Sequence, residues 1–133
     1  MKSNANSILI KQLAAKPVAF NPELARIAGS AIAGLFMSQL LYWWGKGRNK
    51  DCVYKTIKEF KSETCLTRSE QNRAIKIWKN LEVLEVRNKG IPQTRHFYID
   101  QDRLIKLLGK RAKSRGIDGY YIDRDKQNDK LVC

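Results

Sequence analysis

The stretch LTRSEQNRAIKIWKNLEVLEVRNKGIPQTRHFYI, residues 66–99, decides the fold of this chain. Its first part has the periodicity of an amphipathic helix. Two strand-like segments follow, residues 83–87 and 95–100, and the basic corner NKGIPQT joins them. Alternation along the second segment predicts that Phe97 and Ile99 face one side, opposite to their neighbours. The stretch therefore predicts one helix and a two-stranded ribbon.

The predicted helix has two chemically different sides when it is plotted at 100° per residue. Its apolar stripe consists of Ala74, Ile77, Trp78 and Leu81, with Ile75 at the edge. Its polar side consists of Ser69, Asn72, Arg73, Lys76, Lys79 and Asn80. No acidic residue interrupts this polar side, although lysine and arginine also cover many helices that face only water.

Two capping-box patterns surround a short turn and predict where two helices begin. They are Thr56-Ile-Lys-Glu59 and Thr67-Arg-Ser-Glu70. In each, the threonine side chain caps the helix while the glutamate three residues later bonds back to the cap. Two such starts this close together predict a helix-turn-helix.

The preceding segment predicts two further helices. Asn21 is a helix cap with Pro22 at the first helical position, and Gly29 ends that helix. The apolar run at residues 31–44 predicts a helix of about 21 Å, which is shorter than the roughly 30 Å hydrocarbon core of a bilayer. We therefore expect a buried central helix and not a membrane span. A short strand is expected at residues 52–55.

The charge balance restricts the classes of partner. Among 133 residues, 26 Lys and Arg stand against 13 Asp and Glu, so the net charge is +13. This excess favours a polyanion, either nucleic acid or an anionic membrane, with an acidic protein surface as a third candidate. Three cysteines and one histidine lack metal-ligand spacing, so we expect no metal, no cofactor and buried thiols in a cytoplasmic protein. Without paired carboxylates or a nucleotide-binding glycine motif, we expect no enzymatic activity.

The segments VAFNPELARIAGSAIAGLFMSQLLYWW, VYKTIKEF, LTRSEQNRAIKIWKNLEVLEV and IPQTRHFYID together resemble a known family. They are similar to the N-terminal winged-helix domains of phage and plasmid replication proteins, including replisome-organiser, DnaD-like and initiator-like proteins. The resemblance implies a mainly α winged helix-turn-helix with a small β-wing. It covers a winged-helix domain at residues 17–108, and the flanking sequence predicts an N-terminal arm at 1–16 and a basic C-terminal extension or tail at 109–133. The chain departs from the family at Cys65 and Val83, where glycine is common.

The resemblance implies that the polar helix side enters the major groove of duplex DNA, where Arg, Lys, Asn and Ser can contact bases or phosphates. The expected DNA contacts on the helix are Arg68, Ser69, Asn72, Arg73, Lys76 and Lys79. Those on the wing, which also carries Arg87, are Lys89, Gln93 and Arg95. Secondary phosphate contacts are expected from Lys46, Arg48 and Lys50.

Several functions fit these expectations. The first is a duplex DNA-binding factor in phage or plasmid replication, and a transcriptional regulator follows closely. The competing class is a small basic protein-interaction module that binds an acidic host complex as an inhibitor or adaptor. An apolar stripe, Leu104, Ile105, Leu107 and Leu108, either closes the core or pairs two chains into a homodimer.

Overall fold

A computed structural model describes residues 4–15, 17–44, 46 and 52–114. The described elements are α1 (Asn4–Ala15), α2 (Pro22–Ala28), α3 (Ala31–Trp43), β1 (Val53–Lys55), α4 (Ile57–Thr64), α5 (Arg68–Asn80), β2 (Leu84–Lys89), β3 (Thr94–Ile99) and α6 (Gln101–Ser114). The protein is mainly helical with a small antiparallel sheet of three strands, which confirms the coarse fold class. In this part of the chain, no helix combines the length and the apolar character needed to cross a membrane.

The helix starts predicted from capping residues are confirmed. The side chain of Asn21 accepts a hydrogen bond from the Glu23 amide, and Gly29 ends α2 in the left-handed conformation. Both capping boxes form, at the starts of α4 and α5. These caps satisfy amides that a helix start leaves without intrahelical partners, so local sequence alone fixes where these helices begin.

In the described part of the chain, two residues other than glycine have positive φ angles, and they flank α5. Cys65 has a φ of 67° in the turn before α5, which is one of the two places where the family resemblance points to glycine. After α5 the left-handed residue is Glu82, with a φ of 64°, and not Val83. Val83 is fully buried and its amide donates to the Trp78 carbonyl oxygen. The left-handed position after α5 therefore lies one residue before Val83, because a β-branched core residue disfavours positive φ. Cys65 is also exposed, unlike the buried thiol expected from composition, whereas Cys52 is buried.

The sheet has the order β1-β3-β2, so β3 is the central strand. Phe97 lies opposite Val53 on one side and Val86 on the other. Phe97 and Ile99 are buried, as the alternation predicts. Arg95 has the same parity as these two residues, and it is buried as well.

The core lies between α3, the helix pair α4 and α5, and the sheet. Phe36 of α3 stacks on Phe60 with ring centroids 4.6 Å apart and meets Phe97 edge-on at 5.6 Å. The Trp78 indole is completely buried and donates to the Ala33 carbonyl oxygen at 2.8 Å. Trp78 is therefore a core residue that fixes α5 against α3.

Helices α2 and α3 pack closely because α3 contains Gly34. A Cβ added at Gly34 would lie 2.6 Å from the Ala25 Cβ and 2.7 Å from the Ala25 Cα. These distances are shorter than a normal contact between non-bonded carbon atoms. Only glycine permits this approach of the two helices.

A charged cluster on the other side of α3 connects α3, β1 and α4. The Glu63 carboxylate accepts hydrogen bonds from Gln39 Nε2 at 2.8 Å and from Trp43 Nε1 at 2.9 Å, and it pairs with Lys55. Burial raises the pKa of Glu63, but the hydrogen bonds from these three side chains outweigh burial and hold the pKa below its ordinary value. The ionised form of Glu63 therefore stabilises the junction.

Helix α6 closes the domain on the side of α2. Leu104 is buried in the core, and Leu107 and Leu108 pack against it, whereas Ile105 is exposed. The apolar stripe thus mainly closes the core. The helix continues through Gly109 to Ser114, past the boundary that the sequence suggested at residue 108.

Candidate nucleic-acid interface

The polar side of α5 is an open basic surface. The side chains of Arg68, Ser69, Asn72, Arg73, Lys76 and Lys79 are all exposed. The helix has one carboxylate, Glu70, and its side chain accepts a hydrogen bond from the Thr67 amide at 3.0 Å. That backbone hydrogen bond lowers the pKa of Glu70, so the carboxylate stays ionised at the cap. The charge of Arg73, one turn further along α5, lowers the pKa of Glu70 as well, so Glu70 is an acidic neighbour of Arg73.

Gln71 fixes the orientation of α5 from inside the protein. Its side chain is 1% exposed, and its Nε2 donates to the carbonyl oxygens of Leu66 at 2.9 Å and Ile57 at 3.1 Å. Both acceptors belong to the start of α4 or to the turn before α5. Because the Gln71 Oε1 also accepts from Arg95 Nη2 at 3.0 Å, one side chain joins the two helices to β3.

Arg95 does not lie on the outer surface of the ribbon. Its exposed fraction is 9%, and its Nη1 donates to Asn72 Oδ1 at 2.8 Å. The prediction that Arg95 holds DNA from the wing assumed an exposed side chain, and that assumption is wrong. Strand alternation explains the difference, because Arg95 shares the inner face of β3 with Phe97. Burial, together with the nearby charge of Arg68, lowers the pKa of the Arg95 guanidinium.

The contact with Arg95 determines how Asn72 presents its amide. A guanidinium only donates hydrogen bonds, so the Asn72 oxygen must be the atom that faces Arg95. The NH2 group of Asn72 is then directed away from the guanidinium. A bidentate contact to adenine needs both the oxygen and the nitrogen, whereas phosphate and the major-groove edge of guanine present acceptors alone. Asn72 is consequently poised as a donor.

The ribbon carries the remaining predicted residues in different settings. Lys89 is exposed, and its ammonium lies 3.3 Å from the Tyr98 hydroxyl. Gln93 is exposed in the turn between β2 and β3. Arg87 pairs with Glu85 at 3.1 Å, so part of its charge is compensated within the protein.

Of the three expected secondary phosphate contacts, Lys46 lies among the described residues. Lys46 follows the end of α3, and its ammonium lies 4.7 Å from the centre of the Tyr42 ring. Arg48 and Lys50 lie outside the described residues.

A groove of about 450 Å³ separates α5 from the ribbon. Its lining residues are Asn72, Ile75, Lys76, Lys79, Asn80, Val86, Asn88 and Arg95. Four residues that the sequence predicted as DNA contacts therefore line one groove: Asn72, Lys76, Lys79 and Arg95. Two further amides and two aliphatic side chains complete its lining. Lys89, Gln93 and Lys46 are not among the residues that line this groove.

Sequence reasoning missed Gln71 and Asn88. The signal for Gln71 was present, because residues 71, 74, 75 and 78 follow the i, i+3, i+4, i+7 spacing of the buried face. A polar residue at such a position needs internal hydrogen-bond partners, and Gln71 has three. For Asn88 no such signal exists, because its place in the groove depends on how the ribbon packs against α5.

Comparison of the chain with protein-family models, with curated proteins and with solved structures found no match in any of the three.

Proposed function

We propose that this protein binds duplex DNA as a winged helix, with α5 as the recognition helix and the β2–β3 hairpin as the wing. The observation that carries the proposal is the exposed basic side of α5 beside the ribbon, on a helix whose one carboxylate is the capping residue Glu70. A DNA-binding surface of this kind gains affinity by neutralising phosphates and releasing their counterions. The net charge of +13 acts in the same direction.

The dimensions of α5 suit a major groove. Its 13 residues give a helix of about 20 Å, and a major groove about 12 Å wide admits one α-helix. Arg73 and Lys76 lie one turn apart on the exposed side, so both can reach neighbouring base pairs. Both residues suit guanine, which presents two acceptors in the groove.

In the wider role that we propose, the protein recognises DNA for phage or plasmid replication or for transcriptional regulation. The basis is the order of elements together with the resemblance of residues 17–108 to replication-protein domains. Recognition is the expected contribution, because the α5 surface offers cations and amides rather than a nucleophile paired with a base.

A titration of duplex DNA by fluorescence anisotropy tests the proposal. The Arg73→Ala/Lys76→Ala variant removes two charges from α5. The control, Lys106→Ala/Lys110→Ala, removes two exposed charges from α6, which packs against α2. We expect the α5 variant to lose at least tenfold in affinity, since each lost contact costs about 1–3 kcal/mol, while the control changes far less. Equal losses in both variants would refute α5 as the binding surface.

The competing interpretation, an adaptor or inhibitor that docks on an acidic host complex, predicts a different result. The wild-type chain would then show no preference for duplex DNA over another polyanion such as heparin. Partners captured from a host extract would also survive nuclease treatment.

A further inference from the structure

Arg95 is a buried cation that has no counter-ion among the described residues. Its guanidinium is 9% exposed, and its two hydrogen-bond partners, Gln71 and Asn72, are neutral amides. Its Nε is buried and has no partner, and within the described residues no carboxylate forms an ion pair with it. Buried charges are normally paired, because removing an ion from water is costly when nothing compensates its charge.

The charges around Arg95 make the imbalance larger. Arg68 is close enough to act on it electrostatically with the same sign. Lys76 and Lys79 line the same groove as Arg95, and none of the lining residues is acidic. Three cations therefore border one concavity, to which the described residues contribute no anion. Bringing an anion into this groove would relieve the repulsion and provide acceptors for the N–H groups of Arg95.

The shape and donors of the groove indicate which anion fits. A volume of about 450 Å³ is far larger than a halide needs and lies in the range of small-molecule sites. Asn72 directs its NH2 group away from Arg95, and Asn80 and Asn88 add two further amides. Guanidinium, ammonium and amide donors in one concavity suit an oxyanion with several acceptor oxygens.

We propose that the groove between α5 and the ribbon is a discrete site for one phosphate group, bound by Arg95 together with Lys76 and Lys79. The phosphate can belong to a DNA strand or to a free phosphate compound, and both present the same oxygens. The site goes beyond the proposed DNA-binding function, because it rests on the uncompensated charge of Arg95 and exists whether or not α5 reads bases.

Thermal unfolding of the full chain in inorganic phosphate tests the site. A ligand that binds only the folded state raises the melting temperature in a saturable way. At fixed pH and ionic strength, we expect phosphate to raise the melting temperature by several degrees above chloride. Arg95→Met should abolish the shift, whereas Arg87→Met, which removes an exposed arginine of β2, should retain it.

A second variant keeps the proposal testable if the Arg95→Met protein does not fold. Lys76→Ala/Lys79→Ala changes two exposed side chains, so its fold should persist while its phosphate shift falls by at least half. Equal shifts in wild type, Arg95→Met and Lys76→Ala/Lys79→Ala would overturn the proposal. An equal response to chloride and phosphate in the wild type would do so as well.

A competition experiment identifies the source of the phosphate. The NMR signals of the side-chain NH2 groups of Asn72 and Asn88 are recorded in the presence of inorganic phosphate, and their changes are followed while a short DNA duplex is added. Displacement of inorganic phosphate by the duplex assigns the site to a DNA phosphate. Additive binding assigns it to a free phosphate compound. Failure of duplex binding with a retained, Arg95-dependent phosphate shift would refute the DNA-binding proposal and leave this site standing.

Discussion

Replacing Gln71 with leucine should destabilise the protein by about 3.5–5 kcal/mol. The change replaces a polar side chain with an apolar one of similar size at a position that is 1% exposed. It removes two hydrogen bonds to the carbonyl oxygens of Ile57 and Leu66 and one bond from the Arg95 guanidinium. A neutral hydrogen bond contributes about 1 kcal/mol and one to a charged group about 1.5–3 kcal/mol, which gives the total. The loss is a large part of the roughly 5–15 kcal/mol that stabilises a typical domain.

Urea unfolding followed by tryptophan fluorescence measures this loss, because the Trp78 indole is completely buried in the native state. Gln93→Leu is the matched control, since it makes the same chemical change at an exposed turn residue and should alter stability by less than about 0.5 kcal/mol. If Gln71→Leu costs under about 1 kcal/mol, or no more than the control, Gln71 does not hold α4, α5 and β3 together as described.

The remaining predictions concern backbone conformation, close packing and pH. Cys65→Gly should leave the melting temperature unchanged or raise it. Removing the Cβ relieves backbone strain at a φ of 67°, which is worth about 1 kcal/mol and is partly offset by the greater freedom of the unfolded chain. A clear decrease in melting temperature would contradict this. Gly34→Ala should lower the melting temperature, because the added Cβ would lie 2.6 Å from the Ala25 Cβ. Gly109→Ala adds a Cβ with nothing within 4 Å and should raise the stability of the protein by up to about 1 kcal/mol. Equal effects of the two substitutions in thermal scans would refute the packing argument. The lowered pKa of Glu63 stabilises the fold above its unfolded-state value near 4.5, and that contribution is lost as the pH falls through the folded-state value. The stability gap between wild type and Glu63→Gln in urea titrations should therefore narrow below about pH 4.5, and a gap that stays constant would contradict the role of the carboxylate.

Local signals predicted most of the helices and strands. The capping residues Asn21, Thr56 and Thr67 place three helix starts within a residue of those observed, because a cap needs only its own few neighbours. Alternation in β3 correctly placed Phe97 and Ile99 in the core. These features depend on short stretches of chain, so the sequence alone contains the relevant interactions.

The groove could not be predicted in the same way. Arg95 has the parity of a buried residue, but arginine is rarely buried without a partner, so composition pointed to the surface. Its partners, Gln71 and Asn72, are 24 and 23 residues away in the chain. Only the packing of β3 against α5 brings them together. The sequence thus indicated the exposed cations, but it did not indicate the buried cation beneath them.

The salt dependence of duplex DNA binding tests the central claim most directly. If about 6–8 phosphates are neutralised, a plot of log affinity against log salt concentration should have a slope of about −5 to −7. Lys89→Ala should lower the magnitude of that slope by about 1 while weakening all sequences similarly, whereas Arg73→Ala should weaken a preferred site most. An affinity for duplex DNA that hardly changes between about 50 and 200 mM salt would contradict the account, because the basic side of α5 would then not be meeting phosphates.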